Sequence, residues 1–253
     1  DWIELHNTTG STIDIGGWFL SDNDNYFKKY EIAAGTTIQA DSYIVFTEDA
    51  NFGLYAGDPG RIIPFALSEH GETVYLSSGS GGDLDGGYCT KEDFKAAENG
   101  VSFGRYTKSA ASGYDIDFVA MQSSTMGSVN SDPCVGPIVI SEIMYHPDST
   151  GQLNNYAEYV ELYNITAGTV SLDDWQLLDE TSDIEFYFPS GASLASGQRL
   201  LLVKNLVAFE AEFGSPSVTA LEYVEGRLSN AGEKIQLSKP GTPEDDFVPY
   251  IRV

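Results

Sequence analysis

The sequence has few basic residues. Its 253 residues include 13 Lys and Arg against 38 Asp and Glu, which gives a formal net charge of −25. Proteins hold a nucleic-acid backbone largely through Lys and Arg that displace counterions, so this composition predicts no nucleic-acid partner. Binding to an anionic lipid surface is disfavoured for the same reason. Such a chain suits salty or calcium-rich surroundings, where cations screen or bridge the carboxylates.

Long apolar runs are also absent. No run approaches the roughly 20 residues that cross a membrane, which predicts no membrane insertion. Helical periodicity is scarce, and the nearest candidate for a short helix is residues 205–213. The chain is instead rich in strand and turn formers, with 15 Tyr, 13 Phe, 26 Gly and 10 Pro. This composition predicts an all-β protein.

The residue types that most often carry catalysis are sparse. The only three histidines, His6, His70 and His146, stand beside three different turns. The sequence has no Gly-x-Ser-x-Gly elbow, no zinc-like spacing of Cys and His, and no phosphate-binding Gly-Lys-Ser/Thr loop. We therefore predict that the chain is not an enzyme and assign no catalytic residue.

Only two cysteines are present, Cys89 and Cys134. Their even number permits one disulfide in an oxidising compartment without requiring it. That bond would tie a long loop of the first half of the chain to the segment that leaves it. The loop, residues 77–87, is rich in Gly and Ser and is predicted to be flexible.

An internal repeat organises the chain. Residues 1–7, Asp-Trp-Ile-Glu-Leu-His-Asn, match residues 158–164, Glu-Tyr-Val-Glu-Leu-Tyr-Asn. Their alternation has the period of two that is typical of a strand. Blocks in one order, each a strand with a turn attached, indicate a duplicated β-sandwich module. The other matching blocks are residues 12–18 with 169–175, 35–46 with 191–202, and 67–76 with 228–237.

These blocks resemble the lamin-tail domain, an immunoglobulin-like module found in nuclear lamins and in many bacterial secreted proteins. The segments that carry the resemblance are residues 140–147, 158–164, 170–177, 188–191 and 230–233, with 100–106 and 126–130 in the first copy. The match is nearer to the bacterial branch, because no coiled-coil heptads precede it. The resemblance implies two immunoglobulin-like β-sandwich domains in tandem and an extracellular or cell-surface location, and it supplies no catalytic residues.

The resemblance predicts the domain organisation. The first domain is expected over residues 1–130 without its first strand, since nothing before Asp1 corresponds to residues 138–147. The linker is expected over residues 131–137. The second domain, 138–253, is expected without closing strands, since it has no counterpart of residues 101–130.

Incomplete sandwiches leave unpaired edges, so we expect a neighbour to complete them. The preferred function is therefore a non-catalytic adhesion or scaffolding module of a larger surface or secreted assembly. Its partners would be other copies, which could form a filament, or neighbouring domains of the same polypeptide. The alternative is a carbohydrate-binding accessory module attached to a secreted hydrolase. Aromatic residues that could stack on sugars are Tyr26, Phe27, Tyr30, Tyr55, Tyr114, Tyr156 and Tyr187.

Calcium is the one cofactor that the sequence suggests. Asp22 and Asp24 place carboxylates at alternate positions, as in calcium-binding loops, and Asp83 and Asp85 add two further candidates. The distal bidentate glutamate of a hand-type site is absent. The alternative is a set of solvated acidic loops without a cation.

Three pairs of residues occupy equivalent positions in the two copies. Asn7 and Asn164 each begin an Asn-x-Thr acceptor sequence, which would be glycosylated only in a eukaryotic secretory route, and the alternative is a strand-end turn. Glu4 and Glu161 are interpreted as structural residues that hold backbone amides at a turn. The other equivalent residues, Trp18 and Trp175, are predicted to be buried core anchors.

Overall fold

A computed structural model describes most of the chain. The described residues are 1–108, 115–148, 156–181, 183–242 and 250–253. They form two compact units, Asp1–Cys134 and Val135–Val253. The division falls inside the predicted linker. However, Asp132 and Cys134 still exchange backbone hydrogen bonds with Gln122 and Ala120 of the first unit.

β-Strands, most of them short, make up the first unit, as the alternating pattern predicts. Between the sixth and seventh strands the chain forms one π-helical turn, Glu48–Phe52. The strands are β1 (Trp2–His6), β2 (Ile13–Asp14), β3 (Phe19–Ser21), β4 (Tyr30–Glu31), β5 (Thr37–Ile38), β6 (Tyr43–Thr47), β7 (Gly71–Ser80), β8 (Asp83–Lys95), β9 (Phe103–Lys108) and β10 (Asp115–Ala120).

The second unit has the same character, with one α-helix, α1 (Leu206–Phe213). Its strands are β11 (Ile138–Met144), β12 (Tyr159–Asn164), β13 (Val170–Ser171), β14 (Gln176–Asp179), β15 (Glu185–Tyr187), β16 (Ser193–Leu194), β17 (Arg199–Val203), β18 (Thr219–Glu222), β19 (Ile235–Pro240) and β20 (Tyr250–Arg252).

The two units pair their strands in the same way. In the first, β1 pairs with β6, β2 with β5, and β3 lies between β4 and β7. In the second, β12 pairs with β17, β13 with β16, and β14 lies between β15 and β19. All of these pairs are antiparallel. The predicted all-β architecture of two similar domains is therefore confirmed.

Each unit buries its core between its sheets. In the second unit, Val160 and Leu162 of β12 share one cluster with Leu177 of β14 and Leu237 of β19. In the first, Ile3 of β1 lies in one cluster with residues of β3, β5 and β6. Burying apolar faces of two sheets against each other is the arrangement of an immunoglobulin-like sandwich.

The predicted flexible loop over residues 77–87 is instead part of a long hairpin formed by β7 and β8. Ser80 pairs with Asp83 across a two-residue turn. The turn residues, Gly81 and Gly82, have φ angles of 61° and 84°. Two positive φ values in succession give the turn whose twist matches that of a hairpin. The glycines that suggested flexibility therefore specify a tight turn.

The short helix expected near residue 205 is present as α1. Asn205 caps it by accepting a hydrogen bond from the Ala208 amide at 2.9 Å, and Gly214 ends it with φ 84°. Phe209 packs against Leu201 and neighbouring apolar residues. Within the described ranges, the protein has no helix with the length and apolar character of a membrane span.

Candidate functional site

The strand-end asparagine of the second unit is buried and fully hydrogen-bonded. Asn164 has no exposed surface. Its Nδ2 donates to the carbonyl oxygens of Leu194 at 2.7 Å and Gly168 at 2.8 Å. Its Oδ1 accepts from the amide and from the hydroxyl of Thr166, each at 2.8 Å. One side chain thus joins the end of β12 to the next turn and to β16.

The first unit repeats this arrangement at Asn7, which is 3% exposed. Its Nδ2 donates to the carbonyl of Ile38 at 2.9 Å, and its Oδ1 accepts from the amide and hydroxyl of Thr9. A glycan on either asparagine nitrogen would require these bonds to break and the strand end to open. Glycosylation at Asn7 or Asn164 would therefore cost the folded unit these hydrogen bonds. The structure shows the alternative, a strand-end turn.

A second repeated contact joins the start of one strand to the turn before another. In the first unit, Asp1 Oδ2 accepts a hydrogen bond from the Leu67 amide at 2.7 Å. In the second, Glu158 Oε2 accepts from the Leu228 amide at 2.8 Å. The residues on both sides of this contact are equivalent in the repeat. The contact closes the sandwich between residues far apart in the chain.

The same turn carries a local carboxylate contact. The Ser68 amide donates to Glu72 at 2.6 Å, and the Ser229 amide donates to Glu233 at 2.6 Å. Each glutamate lies four residues after its serine. Such side-chain-to-backbone bonds satisfy turn amides that have no strand partner.

Glu4 and Glu161 are structural, although they bind different groups. Glu4 accepts a hydrogen bond from the backbone amide of Gly127, as the interpretation of a turn-holding glutamate requires. Glu161 Oε1 instead accepts from the Ser141 hydroxyl at 2.7 Å and from Arg199 Nε at 2.9 Å. One glutamate therefore holds a turn and the other links three strands.

The two copies differ at the outer edge of their first shared strand. β12 has a neighbour on each side, β11 and β17. Within the described ranges, the equivalent β1 pairs with β6 alone. Asn7 directs its amide towards β6, to the Ser42 carbonyl at 3.0 Å. In an antiparallel pair the alternate residues Trp2, Glu4 and His6 therefore direct their backbone groups outward.

The predicted calcium ligands do not converge. Asp22 forms an ion pair with Lys29, and both side chains are 14% exposed. Asp83 forms an ion pair with Lys28 at 2.9 Å. These lysines directly follow the acidic loop in sequence, so both carboxylates have a cationic partner within the first unit.

The other two candidates also have partners of their own. Asp24 accepts a hydrogen bond from the side chain of Asn25 at 2.7 Å. Asp85 accepts from the Ser78 hydroxyl and from the Gly87 amide. In the parts of the chain that the structure covers, no three Asp, Glu, His or Cys side chains are grouped so as to hold a metal. The prediction of calcium therefore lacks a ligand set here.

The structure does not contain the predicted disulfide. Cys89 and Cys134 are both free and exposed. Cys89 lies on β8 opposite Ser77, whose Oγ is 3.5 Å from its sulfur. Cys134 is held by a backbone bond to Ala120. The hairpin fixes Cys89 in a strand, whereas the prediction placed it in a loop free to approach the linker.

The structure gives the surroundings of several residues considered for catalysis and for sugar binding. His6 stacks on Tyr43, and its Nε2 lies 3.1 Å from Asp41. Among the aromatic candidates Tyr30 is buried, and Tyr114 lies outside the described residues. Among the aromatic candidates for sugar binding, those with large exposed fractions are Tyr26 (61%), Tyr55 (94%), Tyr156 (48%) and Tyr187 (55%).

The equivalent tryptophans are buried to different extents. Trp175 is 5% exposed and belongs to the core of the second unit. Trp18 is only partly buried and packs beside Tyr88, with ring centroids 5.5 Å apart. Their backbones nevertheless make the same bonds, to Ile15 in one unit and to Leu172 in the other. Trp18 therefore keeps the position of a core anchor without its full burial.

Comparison with known families identifies the kind of module in which these repeated contacts occur. The family model described as Lamin Tail Domain matches residues 1–89 and 132–251. The chain belongs to the lamin tail domain family. No curated protein and no solved structure matched the chain. The two matched ranges agree with two lamin-tail modules, one in each unit.

Membership of the lamin tail domain family supports a structural role. The domain is an immunoglobulin-like, non-enzymatic module. The repeated contacts of this chain fit that role, since they join strands and turns within each module.

The contacts of the Asp1 and Glu158 carboxylates were not predicted from the sequence. Both residues stand at the start of a matched block, so the repeat itself was a signal. Their partner amides at Leu67 and Leu228 lie at the start of another matched block. One matched block begins with an acidic residue and another begins at a turn. This pattern indicates a long-range contact between the two blocks, and only the fold shows which residues form it.

Replacing Glu158 by glutamine should change the pH dependence of stability in the second lamin-tail module. Burial raises the pKa of the Glu158 carboxyl above its ordinary value of 4.5, although the Leu228 amide and the Tyr223 hydroxyl lower it. A raised folded-state pKa contributes stability that is full below the ordinary value and is lost as pH rises through the folded value. Glu158→Gln keeps an oxygen acceptor and loses the charge.

The variant should therefore gain stability relative to the parent protein as the pH rises. Urea unfolding of both proteins, followed at amides of the second module between about pH 4 and about pH 8, measures this difference. Other carboxylates titrate in both proteins, so their effects cancel in the comparison. A difference that stays constant over this range would contradict the prediction.

Proposed function

We propose that the chain is a non-catalytic structural module of an extracellular or cell-surface assembly, joined to its neighbours by strand addition at β1. The observation that supports this is the contrast between the two modules. β12 is paired on both sides, whereas β1 has an open side in the described residues. Open edges readily pair with another strand.

Burial of the two strands supports the same proposal. Val160 and Leu162 of β12 have no exposed surface, and Ile138 of β11 covers the same core. The equivalent Ile3 of β1 is 9% exposed, and Leu5 is only partly buried. A strand laid along β1 would bury these residues as β11 buries theirs, and apolar burial is the main source of association free energy.

The expected register follows that of β11. Ile138 pairs with Asn164 and Ile140 with Leu162, with a bulge before Glu142. By the repeat, an incoming strand would set apolar residues opposite Asn7 and Leu5. The strand that pairs with β1 is therefore expected to be one of alternating apolar residues.

A peptide with the sequence of residues 137–145 provides the test. Added to the full chain, it should slow hydrogen exchange at the outward amides of Trp2, Glu4 and His6, because each gains a carbonyl partner. A scrambled peptide of the same composition is the matched control. Sedimentation of the chain alone should show mass above the 27.5 kDa of one copy as concentration rises, if copies supply the strand.

His6→Pro provides the matching variant. This substitution removes the outward backbone amide of residue 6, which makes no hydrogen bond to β6. It should abolish the slowing of hydrogen exchange that the peptide causes at Trp2 and Glu4. Exchange at these amides that is unchanged by the peptide, or equally changed by the scrambled peptide, would refute strand addition at β1.

The extracellular setting is supported by composition. A net charge of −25 on 253 residues repels itself least where salt screens the carboxylates. Fractionation of the source cells, with the protein detected by an antibody, tests this location. Recovery in the cytosolic fraction alone would contradict it.

A carbohydrate-binding role is the second candidate, favoured by one observation. Tyr55 is 94% exposed. Its loop is fixed because Arg61 donates hydrogen bonds to the carbonyls of Gly53 and Leu54. An exposed ring on such a loop can stack on a sugar. Selective binding on a glycan array, lost in Tyr55→Ala, would favour this role.

A further inference from the structure

A lysine and an aspartate lie side by side in the first unit with most of their surface buried. Lys29 forms an ion pair with Asp22, and each side chain is only 14% exposed. Oδ1 of Asp22 is buried and accepts no hydrogen bond from the residues that the structure describes. Taking two opposite charges out of water is costly unless hydrogen bonds satisfy their remaining atoms. A reaction that removed both charges would therefore be favoured at this place.

The backbone holds both residues in position. The hydroxyl of Ser21, next to Asp22, donates to the Tyr26 carbonyl at 2.7 Å and closes the loop between the two residues. The Lys29 carbonyl accepts a hydrogen bond from the Ile62 amide at 2.9 Å. Two groups that a folded chain holds in contact react as if each were present at very high concentration. The amine and the carboxyl group are thus arranged for a reaction with each other.

An aromatic ring and a second carboxyl group complete the surroundings. Lys29 Nζ lies 5.6 Å from the centroid of the Phe65 ring, which is 6% exposed. Glu72 Oε1 accepts a hydrogen bond from the Ser68 amide at 2.6 Å, which fixes the glutamate. Burial raises the pKa of Glu72 above its ordinary value of 4.5, and the charges of Asp22 and Lys29 both act on it. A carboxyl group that retains its proton therefore lies near the ion pair.

The second unit satisfies the equivalent aspartate in another way. Asp179 is the counterpart of Asp22, since each lies four residues after the tryptophan of its repeat. Asp179 Oδ1 accepts a hydrogen bond from the Asp183 amide at 2.9 Å. The register of β14 with β15 places Glu185 where the first unit has Lys29. Among the described residues, only the first unit thus places a lysine against this aspartate.

We propose that Asp22 and Lys29 condense to an amide, so that a covalent bond joins Cγ of one side chain to Nζ of the other. The inference goes beyond the structural role proposed above and does not depend on strand addition at β1. The amide carries no charge, so its formation removes both buried charges at once. It would also join the end of β3 to the start of β4 by a bond that unfolding does not break.

The bonds and protons of this step balance with the loss of one water. A proton passes from the Lys29 ammonium to the Asp22 carboxylate, and the neutral Nζ then attacks Cγ. As the C–N bond forms and a C–O bond breaks, Glu72 donates its proton to the departing hydroxyl, which leaves as water. The ionised Glu72 takes back a proton from the bonded nitrogen. The products are a neutral amide, one water and Glu72 in its starting state.

Mass spectrometry of the purified full chain is the first test. The denatured chain should be lighter than its sequence mass of 27.5 kDa by one water. Trypsin should release residues 1–28 joined to residues 29–61 as one branched product, because it does not cleave after an acylated lysine. Cyclisation at Asp85–Gly86 would also remove one water, but it would leave these peptides separate. A chain of full sequence mass, or separate peptides 1–28 and 30–61, would overturn the proposal.

Variants assign the roles of the residues. Lys29→Arg keeps the positive charge, but a guanidinium does not lose its proton, so this variant should have the full sequence mass. Glu72→Gln should lower the cross-linked fraction at least about tenfold, as expected for loss of a general acid. Circular dichroism of both variants checks that they are folded.

The matched control is Lys28→Arg. Lys28 pairs with Asp83 at 2.9 Å, and both of these side chains are well exposed. The control should therefore keep the branched product. Loss of one water that persists in Lys29→Arg would refute the assignment to Lys29. An unchanged cross-linked fraction in Glu72→Gln would refute proton transfer by Glu72.

Discussion

Replacing Trp175 by alanine should destabilise the second unit by about 3–5 kcal/mol, the usual cost of removing a buried aromatic side chain. Trp175 is 5% exposed and lies in one cluster with Leu172, Leu177 and Phe188. Its removal loses apolar burial and leaves a cavity that a rigid sandwich fills only in part. Trp18→Ala should cost roughly half as much, because Trp18 is already partly exposed beside Tyr88.

Urea unfolding followed at amides of each unit measures the two effects separately. Local probes are needed because a chain with two domains does not generally unfold in one transition. Trp18→Ala is the matched control, since it removes the same side chain from the equivalent position of the other unit. Equal costs, or a larger cost for Trp18→Ala, would contradict the difference in burial.

Asn164→Ala should cost about 3–4 kcal/mol, because it removes four hydrogen bonds and leaves the buried Leu194 carbonyl without its partner. The side chain has no exposed surface. Asn7→Ala should cost a similar amount in the first unit. Thermal and urea unfolding with probes in each unit provide the measurement.

Two variants separate this structural role from loss of an acceptor sequence for glycosylation. Thr166→Ala removes the acceptor sequence and keeps both bonds from Asn164 Nδ2 to carbonyl oxygens, so it should cost only about 1 kcal/mol. Ile165→Ala, at a side chain 47% exposed, should cost less still. Protein made in bacteria, where this glycosylation does not occur, should show the same order. A cost for Thr166→Ala equal to that for Asn164→Ala would contradict the account.

The sequence predicted the repeat and its strands because each block carries both a periodicity and a turn. The blocks beginning at Asp1 and Glu158 correspond to β1 and β12, and the pairing of the following strands agrees in the two units. Strand alternation and turn residues are local properties, so they can be recognised without knowing the fold.

Some local sequence patterns have two physical meanings, and the flexible loop expected over residues 77–87 was a wrong choice between them. Consecutive glycines indicate a flexible segment or a tight hairpin turn, and Gly81 and Gly82 form the turn because strands on both sides pair. Alternate aspartates indicate a cation site or residues matched by nearby lysines. Lys28 and Lys29 lie close enough in sequence to have suggested the second reading.

The long-range contacts could not be predicted from the sequence. The bond from the Leu67 amide to Asp1 joins residues 66 positions apart. That from the Leu228 amide to Glu158 joins residues 70 positions apart. Nothing local distinguishes these carboxylates from solvated ones.

We conclude that the chain contains two copies of one lamin-tail module held by the same buried contacts. A crystal structure of the whole chain tests it most directly. In that structure the two units should superpose, and Asn7 and Asn164 should be buried, with their side-chain nitrogens about 3 Å from the carbonyls of Ile38 and Leu194. Two units of different strand order, or either asparagine pointing into solvent, would contradict it.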